Sequence, residues 1–582
     1  MQTLIEFMSD LLGDAFERMG FDRAFGRVRV SDRPDLGQFQ CIGALQAGKV
    51  ARRNPREVAE AVVAEVRGQF GAASVAGPGF INLTLSDAML TSRLEAARNS
   101  RDAGAVARPY RGTVILDFGG PNVAKPMHVG HLRSSIIGDC LQRLGRRLGY
   151  TVISDIHMGD FGLQMGQLIM ELRRRRPDLL YFDPACEGPY PQDPPVTIED
   201  LQEMYPAAAA RCKEDEAALE EARLCTAELQ AGRPGYVALW NHFISLSHRS
   251  LESDFARLGV HFDLWLGESS VQDRLPGLVE RLKAQGLAYE SQGALVVDVD
   301  EGGEVPPLML VKGDGAYTYA ATDLATIEDR VEKYNPDVIL YVVDQRQHLH
   351  FEQVFSVARR TGIARCGLEH IGFGTVNGKD GKPFKTRAGG VMKLGDLIEM
   401  AEAEVAKRLD ETGISREVDK ELRQEIIEKV AVAAVKFADL ANNRLSSYVF
   451  DLAKFTSFDG KTGPYLLYAA VRIKSLLEKA MAQGIEPGPI LPPGNDEERN
   501  LMLAMAMLPD AVLDSWRGRT PHLLCDFAHN VAQEFHRFYQ AWPVIREPDA
   551  DRRRSRLGLA SLTLAQLSVV FDILGLSIPR AM

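Results

Sequence analysis

The 582-residue chain is short of cysteine and has no excess of basic charge, and each shortage removes a class of protein. Its seven cysteines, Cys41, Cys140, Cys186, Cys212, Cys225, Cys366 and Cys525, form no CxxC pair. Neither a disulfide framework nor a thiolate zinc site is therefore expected, and they read as reduced core residues. The formal charge of −11 argues against a chain that coats nucleic acid indiscriminately. Local patches at Arg173–Arg176 and Arg552–Arg554 leave room for RNA contacts, although a charge run is more often a solvated face. No run reads as apolar and long enough to span a membrane. The start, MQTLIEFMSDLLGDAFERMGFD, has acids among its apolar residues and lacks a basic leader and a small-residue cleavage site. It is expected to be an amphipathic helix, with the chain in the cytoplasm and away from membranes.

At 45% hydrophobic, the length suffices for several cores, three or four domains' worth. The most informative stretch is Asp117 to His131, DFGGPNVAKPMHVGH. Before it, Thr113–Phe118 is a short apolar run with the pattern of a buried strand. After it, Leu132, Ile136, Ile137, Leu141, Leu144 and Leu148 recur at helical spacing and Gly149 supplies a stop. A strand, a glycine- and proline-bearing loop, and a helix whose first turn carries His128, Gly130 and His131 form a place where α/β sheets bind ligands. Free amides and the positive end of the helix attract a triphosphate, two imidazoles add donors, and Lys125 adds a full charge. On spacing alone, HxxH is equally a surface pair or a pair of metal ligands.

The neighbouring residues narrow the choice. PNVAKPMHVGHLRSS resembles the HIGH signature of class I aminoacyl-tRNA synthetases, in the form it takes in arginyl-tRNA synthetases. That resemblance implies activation of L-arginine with ATP and transfer to tRNA, with Mg2+ carried on the ATP and no metal held by the protein. It also implies catalytic roles for Lys125, His128 and His131, and ATP binding by His128, Gly130 and His131.

The remainder of the chain is organised accordingly. Residues 1–90 read as a small α+β unit, with Asn54-Pro55-Arg56-Glu57 as a capping-box start and AGPGFINL as a turn into a strand. It resembles the family's N-terminal additional domain, which touches the tRNA elbow. Residues 111–400 carry further apolar runs at 151–156, 337–344 and 371–376, expected to form a doubly wound, Rossmann-like parallel sheet. An insertion of about 170–300 interrupts it, and ALVVDV at 294–299 reads as the start of the return. Gly159-Asp160-Phe161-Gly162 with Gln164 resembles the family's DWGTQFG segment, with Phe161 in place of tryptophan.

Tyr319 and Asp323 are four apart, one helical turn, so both can face one pocket. A guanidinium needs a carboxylate in a planar fork, and this pair offers one beside a hydroxyl; a helix-start aspartate beside a core tyrosine gives the same spacing. The resemblance implies that Tyr319 and Asp323 hold the arginine side chain, that Asp117, Asn122 and Gln347 hold its α-amino and carboxylate end, and that Glu268 is a further guanidinium partner. The glycine-rich loop Gly378–Gly390 stands where the class carries KMSKS, which is absent. Lys382, Lys385, Thr386 and Arg387 of that loop are candidates for ATP contacts, and Lys125 is the expected substitute for the missing lysine. A second departure is Gly119-Gly120, where serines or alanine are usual.

From 425 to 582 the pattern is helical, and the segment opening at Thr462 resembles the family's anticodon-binding domain. Tyr465 and Tyr468 are its candidate tRNA-stacking residues, although a helical aromatic pair more often packs inward. Family members are mostly monomers whose arginine activation requires bound tRNA. Two rivals remain from the residues alone. One is another HxGH nucleotidyltransferase acting on a small metabolite, disfavoured by the two flanking domains. The other is a catalytically idle tRNA-binding relative, disfavoured by the intact Lys125, His128, His131 and Asp323.

Overall fold

Between residues 28 and 84 four short strands, β1 (Val28–Val30), β2 (Phe39–Cys41), β3 (Ala72–Ala76) and β4 (Phe80–Thr84), pair antiparallel in the order β1-β2-β4-β3. The computed structural model describes residues 2–106, 109–125, 127–300, 302, 305–378, 380–382, 384, 392–413 and 418–582. Two compact units divide them. The first comprises Met1–Tyr110, Val405–Ala441 and Phe455–Met582; the second comprises Arg111–Glu404 and Asn442–Lys454.

In the first unit the opening segment is the expected amphipathic helix, Leu4–Arg18, with Leu4, Met8, Leu12 and Phe16 buried. Asn54 caps the helix Pro55–Glu65, its side chain accepting from Arg56 N, with proline at the first helical position. The N-terminal segment and the C-terminal helices, which the sequence pattern sets apart, share this one unit. Asp510, at the start of the helix Leu508–Gly518, accepts from Leu4 N at 2.8 Å and Ile5 N at 2.9 Å. It thereby satisfies amides that the first helix cannot satisfy itself. Arg499 reaches Asp87 and the Leu85 carbonyl, and Glu95 accepts from Ile490 N.

One expectation is corrected here. The helix Ala550–Leu574 is long and apolar enough, by length and composition, to cross a membrane, with a mean hydropathy of 1.8 in its most apolar stretch. Within this fold 72% of that stretch is buried, so its apolar residues form the core of the helical part. The arginine runs are largely tied up as well. Glu171 takes Arg174 and Arg175 in the second unit, while Glu498 takes Arg552 in the first.

The second unit is built on a parallel sheet of β5 (Thr113–Phe118), β6 (Thr151–Asp155), β10 (Val338–Val342) and β11 (Gly367–His370), ordered β11-β10-β5-β6. The chain winds outward from β5 to β6, then returns to the other side of β5 with β10. The crevice between β5 and β10 is therefore the topological switch point, where open α/β sheets bind ligands. Two expected strands are displaced. ALVVDV does not rejoin the parallel sheet: β8 (Ala294–Val297) lies between β7 (Ala288–Ser291) and β9 (Leu308–Val311) in an antiparallel sheet of three. All four residues of β8 are buried, and an apolar run reads alike in either kind of sheet. The fourth parallel strand is GLEH, not the 371–376 run. It is an edge strand with mixed burial, which leaves no continuous apolar signal.

The helix Val129–Leu148 packs on β5, and Gly138 makes the approach possible. A Cβ there would lie 2.1 Å from Phe118 Cγ. Gly138→Ala is expected to destabilise the protein by about 1–3 kcal/mol through overpacking. The check is the denaturation midpoint, and an unchanged value would mean that this contact is not tight.

Candidate active site

The helix Val129–Leu148 begins at His128 with a reciprocal cap made of two imidazoles. His128 Nδ1 accepts from Gly130 N at 3.0 Å, and His131 Nδ1 accepts from His128 N at 3.3 Å. The rings stack with centroids 3.9 Å apart. Because both Nδ1 atoms accept, both neutral rings carry their proton on Nε2, leaving two parallel N–H donors at the positive end of a helix. Desolvation, His128 and Lys125 push the His131 pKa down to about 3, and desolvation with Lys125 lowers that of His128. Two residues further on, Arg133 and Ser134 lock this helix in place. The Ser134 hydroxyl donates to Val342 O at 2.6 Å and accepts from Gly119 N at 2.8 Å, joining the carboxyl ends of β10 and β5. Buried Arg133 donates to Gly374 O and Ser446 O, each at 2.9 Å.

Beyond the strand ends, backbone bonds lace three loops side by side. Val123 N donates to Gly159 O, Met158 N to Leu266 O and Glu268 N to Met158 O. Asn122, Asp160 and Glu268 are thereby brought together from distant parts of the chain. Asn122, Lys125, Gln164, Tyr205, Glu268 and Tyr319 line a cleft of about 670 Å³. The Lys125 ammonium lies 4.6 Å from the centroid of the Tyr205 ring. Tyr319 opens the helix Tyr319–Tyr334, capped by Thr318, and Asp323 follows one turn later. Burial and the charges of Asp160 and Asp323 raise Glu268 to about 8. Asp160 is held by Ser269 through the amide at 2.9 Å and the hydroxyl at 2.6 Å.

Other expected site residues are placed differently. The Asp117 carboxylate is buried and accepts from Arg330 Nη2 at 2.7 Å, as does Asp155 at the same distance. Gln347 is exposed in a turn after β10, its amide donating to Asp344 O, and is not among the residues lining the cleft. Lys382 is exposed in a tight turn in which Gly378 N donates to its carbonyl. Lys385, Thr386 and Arg387 lie outside the described residues. Just after them, Met392 O accepts from Val129 N and Leu394 N donates to Met127 O, so the loop rejoins the fold beside the two histidines. In the first unit, Tyr465 and Tyr468 are half-buried and line a pocket of about 150 Å³ with Arg472, Phe535 and Tyr539.

Sequence reasoning assigned no role to Asp160, Tyr205, Arg330 or His350. Asp160 stands within the GDFG segment and His350 three residues after Gln347, so both were within reach of the motifs. Tyr205 belongs to the 170–260 region, where the resemblance is weakest, and Arg330 gave no signal.

Comparison with known proteins bears on the whole chain. The family model for the class I tRNA synthetase (R) catalytic domain matches residues 94–452. The DALR anticodon binding domain matches 466–582, and the arginyl tRNA synthetase N-terminal domain 6–85. The arginine–tRNA ligases of Hyphomonas neptunium and Maricaulis maris are 50% and 51% identical to it, over 100% of each chain. The chain belongs to the arginyl-tRNA synthetases. Solved arginyl-tRNA synthetases of Plasmodium falciparum and Thermus thermophilus share its fold, with TM-scores of 0.82 and 0.80 over their full length at 24% and 22% identity.

Within this family frame Gly119-Gly120 has a local explanation. The two glycines take φ of 89° and 34°, conformations that L side chains rarely adopt. A Cβ on Gly119 would also sit 3.0 Å from Phe262 Cζ. Here the space is filled by the aromatic contact of Phe118 with Phe262, whose centroids are 4.4 Å apart.

The depressed His131 pKa sets a pH dependence of stability. The folded protein leaves this ring neutral down to about pH 3, whereas the unfolded chain protonates it near 6.5. Its contribution is thus complete above pH 6.5 and is lost as pH falls toward 3. His131→Gln should flatten the decline in stability between pH 6.5 and 4.5, measured by urea denaturation, while an unaltered slope would place the ring's titration elsewhere.

Proposed function

We infer that this synthetase charges tRNA with arginine in two steps that share the cleft. The arginine carboxylate attacks the α-phosphorus of ATP and pyrophosphate leaves. The arginyl group of the adenylate then passes to the terminal adenosine of the tRNA. The observation that carries this reading is a cleft lined by Glu268, Lys125 and Tyr319, with Asp160 and Asp323 behind it close enough for their charges to raise the Glu268 pKa. Several carboxylates facing one space suit a permanent cation with a flat donor fork, which is what a guanidinium presents.

The chemistry divides along the cleft. At the helix start, the two imidazole N–H groups and the positive end of the helix receive the triphosphate. Lys125 meets the charge that builds on the β- and γ-phosphates as the α-phosphorus is attacked, acting chiefly by position and field. Asn122 receives the amino and carboxylate end of arginine. Asp117, held by Arg330, acts from one layer behind, because with Asp155 it sets two carboxylates against one guanidinium. Among the described residues no group of three His, Cys, Asp or Glu side chains is placed to hold a metal ion. Magnesium carried on the triphosphate would neutralise part of its charge. Tyr465 and Tyr468 offer ring faces to tRNA bases, and the segment 1–90 meets the tRNA elbow. The enzyme works as a cytoplasmic monomer.

Asp323→Asn should raise the arginine KM at least tenfold, because an uncharged amide leaves the guanidinium without its carboxylate partner and a charge-assisted bond is worth ~1.5–3 kcal/mol. Normal arginine binding by this variant would remove Asp323 from the pocket. Lys125→Ala should slow single-turnover arginyl-adenylate formation, with tRNA present, by roughly 10²–10³-fold and change ground-state affinities much less. A large loss in Lys385→Ala with little in Lys125→Ala would assign the task to the glycine-rich loop instead.

A further inference from the structure

His350 stands on the first turn of the helix His348–Arg360, facing the helix that carries Tyr319 and Asp323. Its Nε2 lies 2.6 Å from Asp323 Oδ2, and its ring meets that of Phe351 edge-on with centroids 5.3 Å apart. An ionised carboxylate only accepts, so in this contact the imidazole donates from Nε2. We propose that His350 is a positioning residue for arginine selection, holding one oxygen of Asp323 so that the other is presented to the guanidinium in a fixed plane. The proposal rests on the reading of Asp323 as the guanidinium acceptor.

The physical need is clear from the side chain involved. The terminal torsion of an aspartate is soft, so a carboxylate alone does not keep the plane that a guanidinium fork requires. One short hydrogen bond from a ring clamped by its own packing removes that freedom before the substrate arrives, and preorganisation of this kind is worth affinity. Asp323 also sits near Glu268 and near the buried Tyr341. Above its titration the imidazole donor steadies Asp323 without adding a cation that would repel the incoming guanidinium.

A pH signature follows that a purely structural histidine would not give. The Asp323 carboxylate raises the pKa of His350, against the opposing effect of burial. As pH falls through that titration, the ring becomes an imidazolium beside the guanidinium site and arginine binding weakens. Glu268 adds a separate step near pH 8: below it the carboxyl is protonated, and arginine must displace that proton to bind. The titratable group facing His350 is Asp323, and those near Asp323 that enter this balance are Glu268 and Tyr341.

The test is the arginine KM and kcat of the full-length enzyme with tRNA present, between pH 5.5 and 9, for wild type, His350→Ala and His350→Gln. The Ala variant should raise the arginine KM roughly tenfold at pH 7.5, the usual worth of a hydrogen bond to a charged group, with kcat within about threefold. The Gln variant, whose amide donates but does not titrate, should restore most of the affinity. It should also lose the acid-side rise in KM while keeping the step near pH 8. An unchanged KM and pH profile in both variants would overturn the proposal. So would a Gln variant that fails as badly as Ala with kcat falling in step, since that is the mark of a structural role. Asp323→Asn, measured alongside, separates the two layers. Normal arginine use there sinks the reading of the pocket itself, while a loss there beside a normal His350→Ala enzyme sinks only the positioning role. If the Ala variant melts early, the pH profile of the Gln variant decides.

Discussion

One guanidinium holds the centre of the catalytic unit together. Arg330 Nη2 donates at 2.7 Å to both Asp117, at the end of β5, and Asp155, at the end of the neighbouring β6. All three side chains are buried, so withdrawing any partner would leave a charge stranded in low dielectric at a cost of about 3–5 kcal/mol. The helix that supplies Arg330 also carries Tyr319 and Asp323 in its first two turns, and the strands it clamps lead into the loops of Asn122 and Asp160. The distance between the groups read here as gripping the guanidinium and those gripping the α-amino end is therefore set by this one ion cluster.

The cleft is polarised in a way that suits a reaction between a cation-bearing acid and a polyanion. The end read here as holding the amino acid gathers carboxylates, and burial together with the charges of Asp160 and Asp323 raises Glu268 to about 8. The end read here as receiving phosphate offers uncharged imidazole donors at the positive end of a helix, and Lys125 lines the cleft with Glu268 and Tyr319. On that reading each substrate meets a complementary field.

What the sequence made legible and what it hid differ in kind. The helix after β5, the cap at Asn54, and the grouping of Asn122, Lys125, Glu268 and Tyr319 followed from spacing and motif, because those signals are local or carried by a family pattern. Arg330 was invisible, since a lone arginine on a helix announces nothing until a fold places it under two strand ends. Tyr205 was hidden in an insertion of proline-rich and charged composition. The fourth strand was misplaced because an edge strand need not be apolar, and β8 because apolar runs do not declare whether their neighbours are parallel. The aspartate at 117 was read by motif as a substrate ligand, whereas only the coordinates show its carboxylate engaged by Arg330.

The cap that Asp510 places on the first helix ties opposite ends of the chain, Ile5 and its partner being 505 positions apart. During synthesis the opening helix leaves the ribosome long before that aspartate exists. At roughly 5–20 residues per second, it spends about 25–100 s with its leading amides open to water and its apolar face unmatched. The N-terminal segment of this protein is therefore an early-made part that settles late, and the last third of the chain acts as the template on which the first few residues complete their fold.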